Sequence, residues 1–170
     1  MSIRIVYFIF ILTYIAVPFF YKSRHPAMLR FYLRMTFSRK FRRCFSLCLL
    51  AMLMVYHFYH LNVFGNVYEL ALSSAFCLLL YSHKNMERMF DFLQWKRRSF
   101  WMATLTIILL FIPHMLPIAV TSGTLLFGAM FYPPVKIRTA PPDELGVYLM
   151  NPEGIVNDYF QWRQSGPDVD

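Results

Sequence analysis

A stretch of positive charge between two long apolar runs constrains this chain more than any other feature. Residues 22–43 contain eight lysines and arginines and no acidic residue, and apolar runs flank them at residues 5–21 and 44–64. Each arginine at the middle of a bilayer costs roughly 2.5–3.5 kcal/mol. A segment this cationic therefore stays on the side of a membrane on which the chain is made, and it orients the helices that cross beside it.

The composition also indicates a membrane protein. Hydrophobic residues make up 58% of the 170 and charged residues 15%, whereas soluble domains have about 45–50% and about 25%. The formal charge of +8 raises the question of nucleic-acid binding. Thirteen of the 17 basic residues, however, lie in two loops beside apolar runs, as the positive-inside pattern requires. We therefore expect an integral membrane protein with no nucleic-acid partner.

The apolar runs predict an all-α fold of about five short transmembrane helices in a domain covering residues 1–132. The predicted spans are residues 3–21, 44–64, 67–82, 100–117 and 118–132. Residues 100–132 would form one helix about 49 Å long, too long for a hydrocarbon core of about 30 Å, so Pro113 and Pro117 are expected to divide them. A four-span alternative leaves residues 118–132 buried or re-entrant and places the tail on the opposite face.

Both basic loops, residues 22–43 and 83–99, are expected to form helices on the membrane surface. In the first loop, apolar residues recur every four positions, at Leu29, Leu33, Phe37 and Phe41, and Pro26 suits a first helical turn. The basic side chains of such helices would reach the phosphates of anionic phospholipids. The residues expected to bind lipid headgroups are Arg30, Arg34, Arg39, Lys40, Arg42, Arg43, Lys96, Arg97 and Arg98. Glu87 and Asp91, in the second loop, are expected to lie on a solvated face.

Residues 133–170 form an acidic extramembrane tail that differs from the rest of the chain. Two proline pairs, at residues 133–134 and 141–142, predict extended chain, and residues 151–153 (Asn-Pro-Glu) predict a helix start. Thirty-eight residues are too few to bury a core alone. The apolar tail residues therefore need the loops of this chain or another protein, and Tyr159, Phe160 and Trp162 are predicted to contact a partner.

Four ionisable residues inside the predicted spans are the candidates for a functional site: His57, His60, Glu69 and His114. Counting about 1.5 Å per residue from the basic end of each span places all four at a depth of roughly 20–24 Å. Ionisable groups at such depth are expensive and often functional. Imidazoles and a carboxylate suit haem, a metal ion, a quinone or a proton relay. The competing interpretation is that the four satisfy each other near the outer interface, with no cofactor.

No catalytic motif is present: the sequence has no Gly-rich phosphate loop, no G-x-S-x-G and no H-E-x-x-H. We therefore expect a non-catalytic accessory subunit of a multi-protein complex rather than an enzyme. The expected location is an inner membrane, mitochondrial or bacterial, with the basic loops facing the matrix or cytoplasm. The expected complex is an energy-transducing assembly of respiratory type, in which other membrane subunits are the partners. The first alternative is a redox or proton-handling protein that uses the His/Glu layer, and the second is a small transporter or channel.

Overall fold

The computed structural model describes residues 20–21, 23–64, 67–112 and 114–161. Within these ranges the side chains of Glu69, Pro142, Asp143, Glu144, Pro152 and Gln161 are not part of the description. The predicted first span lies outside the described residues except for Phe20 and Tyr21, and Trp162 lies outside as well.

The described residues form helices joined by turns, which confirms the prediction of an all-helical chain. The helices are α1 (Pro26–Phe37), α2 (Arg39–Phe64), α3 (Val67–Leu79), α4 (His83–Leu93), α5 (Lys96–Phe111), α6 (Leu116–Phe131), α7 (Val135–Thr139), α8 (Pro142–Met150) and α9 (Pro152–Gln161). By length and composition α2 is apolar enough to cross a membrane, and Leu70–Leu79 and Leu116–Phe131 are shorter apolar helices.

Helix α6 lies at the centre of the fold, where α2, α3, α4 and α5 all pack against it. The closest approach is at Gly128, because a Cβ atom there would lie 2.5 Å from Cδ1 of Leu49 and 3.0 Å from Cε1 of Phe90. A glycine at this position lets the α2 and α4 side chains reach the α6 backbone. Around it, the first hydrophobic cluster includes Leu53, Leu125 and Tyr132.

The long apolar stretch is divided, as predicted, but the break lies before Pro117 and not between residues 117 and 118. Helix α5 ends at Phe111 and α6 begins at Leu116, with Pro117 in its first turn. His114, in the intervening turn, has a φ of 69°, a left-handed conformation uncommon for residues other than glycine. Helix α5 begins at Lys96, four residues before the predicted span, because the basic residues of the loop continue the helix.

Ser38 separates α1 from α2, although the apolar pattern runs through it. Its backbone is extended, with φ −110° and ψ 108°, and its hydroxyl oxygen accepts a hydrogen bond from the backbone N–H of Phe41 at 3.2 Å. A serine in this position caps the start of the following helix. The Nη1 atom of Arg42 then donates to the carbonyl oxygens of Met35 and Thr36, both at 2.9 Å, and so satisfies the end of α1.

The tail folds back on the first basic loop. Helix α9 packs against α1, and the second hydrophobic cluster joins them. Its buried members are Tyr32, Phe131, Ile137, Ile155, Val156, Tyr159 and Phe160. Leu29 and Leu33 pack against this cluster, so the chain itself covers this part of the apolar side of α1, whereas Phe37 at its end is 44% exposed.

The proline pairs of the tail begin helices, which differs from the predicted extended chain. Pro134 and Pro141 are extended, with ψ of 153° and 154°, but each is the residue directly before a helix. Proline suits the first turn of a helix because its missing N–H has no partner there in any case. The short helices α7 and α8 follow, and neither was predicted.

Candidate functional site

His57 joins three helices in the apolar half of the fold. It is only 3% exposed. Its Nε2 atom lies 3.3 Å from Oγ1 of Thr121 on α6, and its Nδ1 atom lies 4.0 Å from Sγ of Cys77 on α3. Both ring nitrogens therefore have contacts on neighbouring helices, and His57 acts as a polar link between α2, α3 and α6.

The hydrogen-bond partners of Thr121 assign the tautomer of His57. The Thr121 hydroxyl donates its one hydrogen to the carbonyl oxygen of Pro117 at 2.8 Å, so towards His57 it acts as an acceptor. We therefore assign the hydrogen of the His57 ring to Nε2, which leaves Nδ1 to accept from the Cys77 thiol. This arrangement satisfies a neutral imidazole without a cofactor.

The other three residues of the predicted His/Glu layer differ in their surroundings. His60 is 3% exposed, and its ring lies 5.9 Å from that of Tyr56 and 4.6 Å from that of Phe64. His114 is exposed in the turn before α6. Glu69 lies on α3, but its side chain is outside the description.

His57 and His60 thus lie on one buried face of α2, whereas His114 is at the surface. In the part of the chain that the structure describes, no three His, Cys, Asp or Glu side chains are placed to hold a metal ion. Haem or metal binding at the four predicted residues remains a prediction.

A second polar cluster lies at the cationic end, where sequence reasoning expected only a solvated face. The Nη1 atom of Arg138 on α7 lies 3.4 Å from Oε1 of Glu87, and its Nη2 atom donates to Oδ1 of Asp91. The Tyr132 hydroxyl also donates to Oε1 of Glu87, at 2.7 Å. The ring of His83 contacts the same carboxylate, with Nε2 3.4 Å from Oε1. These contacts join α4 to the start of the tail.

The two acids of this cluster carried a signal in the sequence. Glu87 and Asp91 are four residues apart, so they lie on one face of a helix, within a loop whose other charged residues are basic. An acidic pair inside a basic segment indicates a local need for negative charge. The missing information was Arg138, which lies 47 residues from Asp91 in the chain.

Burial and neighbouring charges set the ionisation of this cluster. Burial raises the pKa of the Glu87 carboxyl, but the hydrogen bond from Tyr132 and the nearby positive charges outweigh this effect, so its pKa lies below the ordinary value of 4.5. Burial also lowers the pKa of the His83 imidazole below 6.5. The charges of the arginines at positions 39, 42 and 43 add to this lowering, and that of Glu87 opposes it.

Most residues predicted to bind lipid headgroups are exposed at this end of the molecule. These are Arg30, Arg34, Arg39, Lys40, Arg43, Lys96 and Arg97. The other two are half-buried. Arg42 closes α1, as described above, and the guanidinium of Arg98 lies 4.1 Å from the ring centroid of Trp95 and 4.5 Å from that of Phe92.

Two of the three predicted partner contacts are buried inside the chain. Tyr159 is 0% and Phe160 4% exposed, and the Tyr159 hydroxyl donates to the carbonyl oxygen of Phe131 at 2.7 Å. The sequence left open whether the loops of this chain or another protein cover these side chains. In the structure, residues of the first basic loop cover them. Neither side chain is available on the surface for a partner.

Comparison of the chain with protein-family models, with curated proteins and with solved structures finds no match.

Proposed function

We propose that this chain is an integral membrane protein whose cationic end faces the cytoplasm or matrix, and that it serves as a non-catalytic accessory subunit of an inner-membrane complex. The observation that carries the proposal is the exposure of the apolar helix α5. None of its sixteen residues is buried, and bulky apolar side chains cover its outer surface, such as Ile107 at 57% and Phe111 at 84% exposure. Water is a poor solvent for a helix of this kind, whereas lipid and neighbouring helices suit it.

The exposed surface of α2 and α3 supports the same setting. Val55 and Phe58 are 61% and 72% exposed on α2, and Leu72 and Leu78 are 67% and 64% exposed on α3. Only 39% of the most apolar window of α2 is buried, less than a core helix of a soluble protein would bury. Large apolar patches on a protein surface indicate contact with a membrane or a partner.

The lengths of the helices support a role as a subunit. Helix α3 has 13 residues and α6 has 16, so they are roughly 20 Å and 24 Å long. Both are shorter than a hydrocarbon core of about 30 Å. Short helices need a thinned bilayer or protein neighbours, and subunits of a complex supply such neighbours. A respiratory-type assembly is the setting that we propose.

The position of the tail supports five spans over four. Helix α9 packs on α1, so the tail lies beside the first basic loop. The first predicted span begins on the membrane face opposite to the first basic loop. The chain must therefore cross the membrane an odd number of times for the tail to reach the face of that loop.

Purification of the tagged full chain from its own membrane in a mild detergent tests the proposal. We expect the protein to migrate in native gels as part of a larger particle, with a fixed set of membrane proteins identified by mass spectrometry. A stable, monodisperse monomer that carries no stoichiometric partner would contradict the accessory role. Extraction of the chain from membranes by alkaline carbonate would contradict its integral membrane location.

A further inference from the structure

A cavity of about 190 Å³ lies at the cationic end, where the start of α2 meets the turn between α3 and α4. Its polar lining comes from Arg43, Ser46 and His83. The apolar lining includes Leu50, Leu80 and Met86, which are 7%, 4% and 0% exposed. One side of the cavity is therefore cationic and the other is apolar.

The cationic side has positive charge that the described part of the chain does not neutralise. No described carboxylate forms an ion pair with Arg43, and Nδ1 of His83 has no hydrogen-bond partner there. The arginines at 39, 42 and 43 all act on His83 through their charge. Glu87, the carboxylate beside His83, already contacts Arg138 and Tyr132. A bound anion would supply the missing negative charge.

The start of α4 favours the same ligand. His83 is the first residue of this helix of 11 residues, and Ser82 before it makes no side-chain capping hydrogen bond. The first backbone N–H groups of a helix carry partial positive charge. His83 and Arg43 both line the cavity, so this end of the helix lies beside the arginine there.

The apolar side decides between a free anion and a lipid. Leu47 and Tyr81 also line the cavity, and they are 52% and 74% exposed, so the apolar lining continues to the outer surface. A free phosphate would leave this surface without a partner, whereas acyl chains would cover it. The volume is below the roughly 300–1,000 Å³ of pockets for drug-sized ligands, so it suits one headgroup and not a whole lipid.

We propose that this cavity binds the phosphate and glycerol of one anionic phospholipid, with Arg43 and His83 contacting the phosphate and the acyl chains lying along Leu47 and Tyr81. The inference rests on the proposed membrane location. It goes beyond general attraction of the basic loops to anionic lipid, because it assigns one site with both a charged and an apolar wall.

The experiment uses the full chain, purified in mild detergent and depleted of lipid. Thermal unfolding is followed while phosphatidylglycerol, phosphatidylcholine or inorganic phosphate is added. We expect phosphatidylglycerol to raise the unfolding temperature with saturation at one lipid per chain, and the other two additives to have little effect. Native mass spectrometry counts the retained lipids independently.

Variants separate this site from the diffuse charge of the surface. Arg43→Gln and His83→Leu are each expected to weaken phosphatidylglycerol binding about ten-fold, since each removes a charge-assisted contact. Arg30→Gln is the matched control, because Arg30 is an exposed arginine of α1 that does not line the cavity. We expect it to change the affinity by less than about two-fold.

Three results would overturn the inference: equal stabilisation by phosphatidylcholine, equal stabilisation by inorganic phosphate, or equal losses in Arg43→Gln and Arg30→Gln. If Arg43→Gln does not fold, native mass spectrometry of the unaltered chain tests the site instead. Retention of equal numbers of phosphatidylglycerol and phosphatidylcholine molecules would reject it. Carbonate extraction of the same membranes tests the membrane location separately. A chain that resists extraction but shows no lipid selectivity refutes the cavity alone.

Discussion

Arg138 is the least exposed member of its ion pairs with Glu87 and Asp91. Its side chain is only 12% exposed, and it contacts Glu87 and Asp91, which are 22% and 30% exposed. Removing one partner of a partly buried ion pair leaves the others without compensation. This guanidinium is therefore the group that contacts both carboxylates of α4.

Replacing Arg138 by glutamine is expected to destabilise the chain. We predict a loss of about 1–3 kcal/mol, smaller than for a fully buried pair because solvent screens these groups in part. Thermal unfolding in detergent measures the change. Arg88→Gln is the control, since Arg88 is an exposed residue of the same loop helix, and its effect should be near zero. Equal effects in the two variants would show that the ion pairs contribute nothing.

Acidification is expected to destabilise the chain through His83 and Glu87 in two steps, whereas Asp91 acts in the opposite direction because burial raises the pKa of its carboxyl above 3.8. Because folding lowers the pKa of His83 below 6.5, the unfolded chain binds more protons below that pH, and stability falls. Because folding also lowers the pKa of Glu87 below 4.5, its contribution is complete above that pH and is lost as pH falls through the folded value.

Unfolding temperatures between pH 7 and pH 3.5 measure both steps. His83→Leu should flatten the profile between about pH 6.5 and 5, and Glu87→Gln should flatten it below about pH 5. An unaltered profile in both variants would mean that other groups control the response to acid.

At the level of helices, the packing around Gly128 predicts the effect of a single substitution on stability. Gly128→Ala places a Cβ atom 2.5 Å from Leu49 and 3.0 Å from Phe90, both in the first hydrophobic cluster. Overpacking of this kind costs about 1–3 kcal/mol. Unfolding of the variant in detergent measures it.

Gly146 provides the matched control, because a Cβ atom there meets nothing within 4 Å. It lies within α8, where alanine is favoured over glycine by about 0.5–1 kcal/mol. Gly146→Ala should therefore be neutral or stabilising. A stabilising effect of Gly128→Ala would contradict the close packing of Leu49 against the α6 backbone.

Helices were predictable from the sequence where their signals are local. Pro26 and residues 151–153 (Asn-Pro-Glu) mark helix starts that α1 and α9 have. A proline break was expected between α5 and α6, but Pro117 lies in the first turn of α6 and does not end α5. The short helices α7 and α8 were missed, because a proline pair fits extended chain and a helix start equally well. The break at Ser38 was missed because the apolar spacing continues through it.

At the scale of the whole molecule, the prediction concerns which ends share a face of the membrane. The tail lies against the first basic loop, so positions in α4 and α8 should be accessible from one side and the first residues of α3 from the other. Lys84, Val147 and Tyr68 are exposed positions that represent these regions.

Single-cysteine variants at these positions, in a chain whose native cysteines are replaced, test this arrangement. In sealed vesicles an impermeant maleimide should label Lys84→Cys and Val147→Cys from the same side, and Tyr68→Cys from the opposite side. Labelling of positions 84 and 147 from opposite sides would support four spans.

Contacts between distant segments could not be predicted from the sequence. The packing of α9 on α1 depends on long-range contacts between apolar residues. From the sequence, Tyr159 could equally well pack against this chain or against a partner. The contact between Arg138 and Asp91 likewise depends on the fold. For the candidate site, the sequence predicted His57 and His60 together on one helix face, but the contacts of His57 with Cys77 and Thr121 required the packing of three helices.

The contact between α9 and α1 also has a consequence during biosynthesis. Tyr32 is completely buried, and residues near the other end of the chain cover it. At translation rates of about 5–20 residues per second, α1 leaves the ribosome on the order of ten seconds before α9 does. Throughout that interval a nascent chain exposes an aromatic surface beside a dense positive charge, which makes it a natural client for a chaperone or for the insertion machinery.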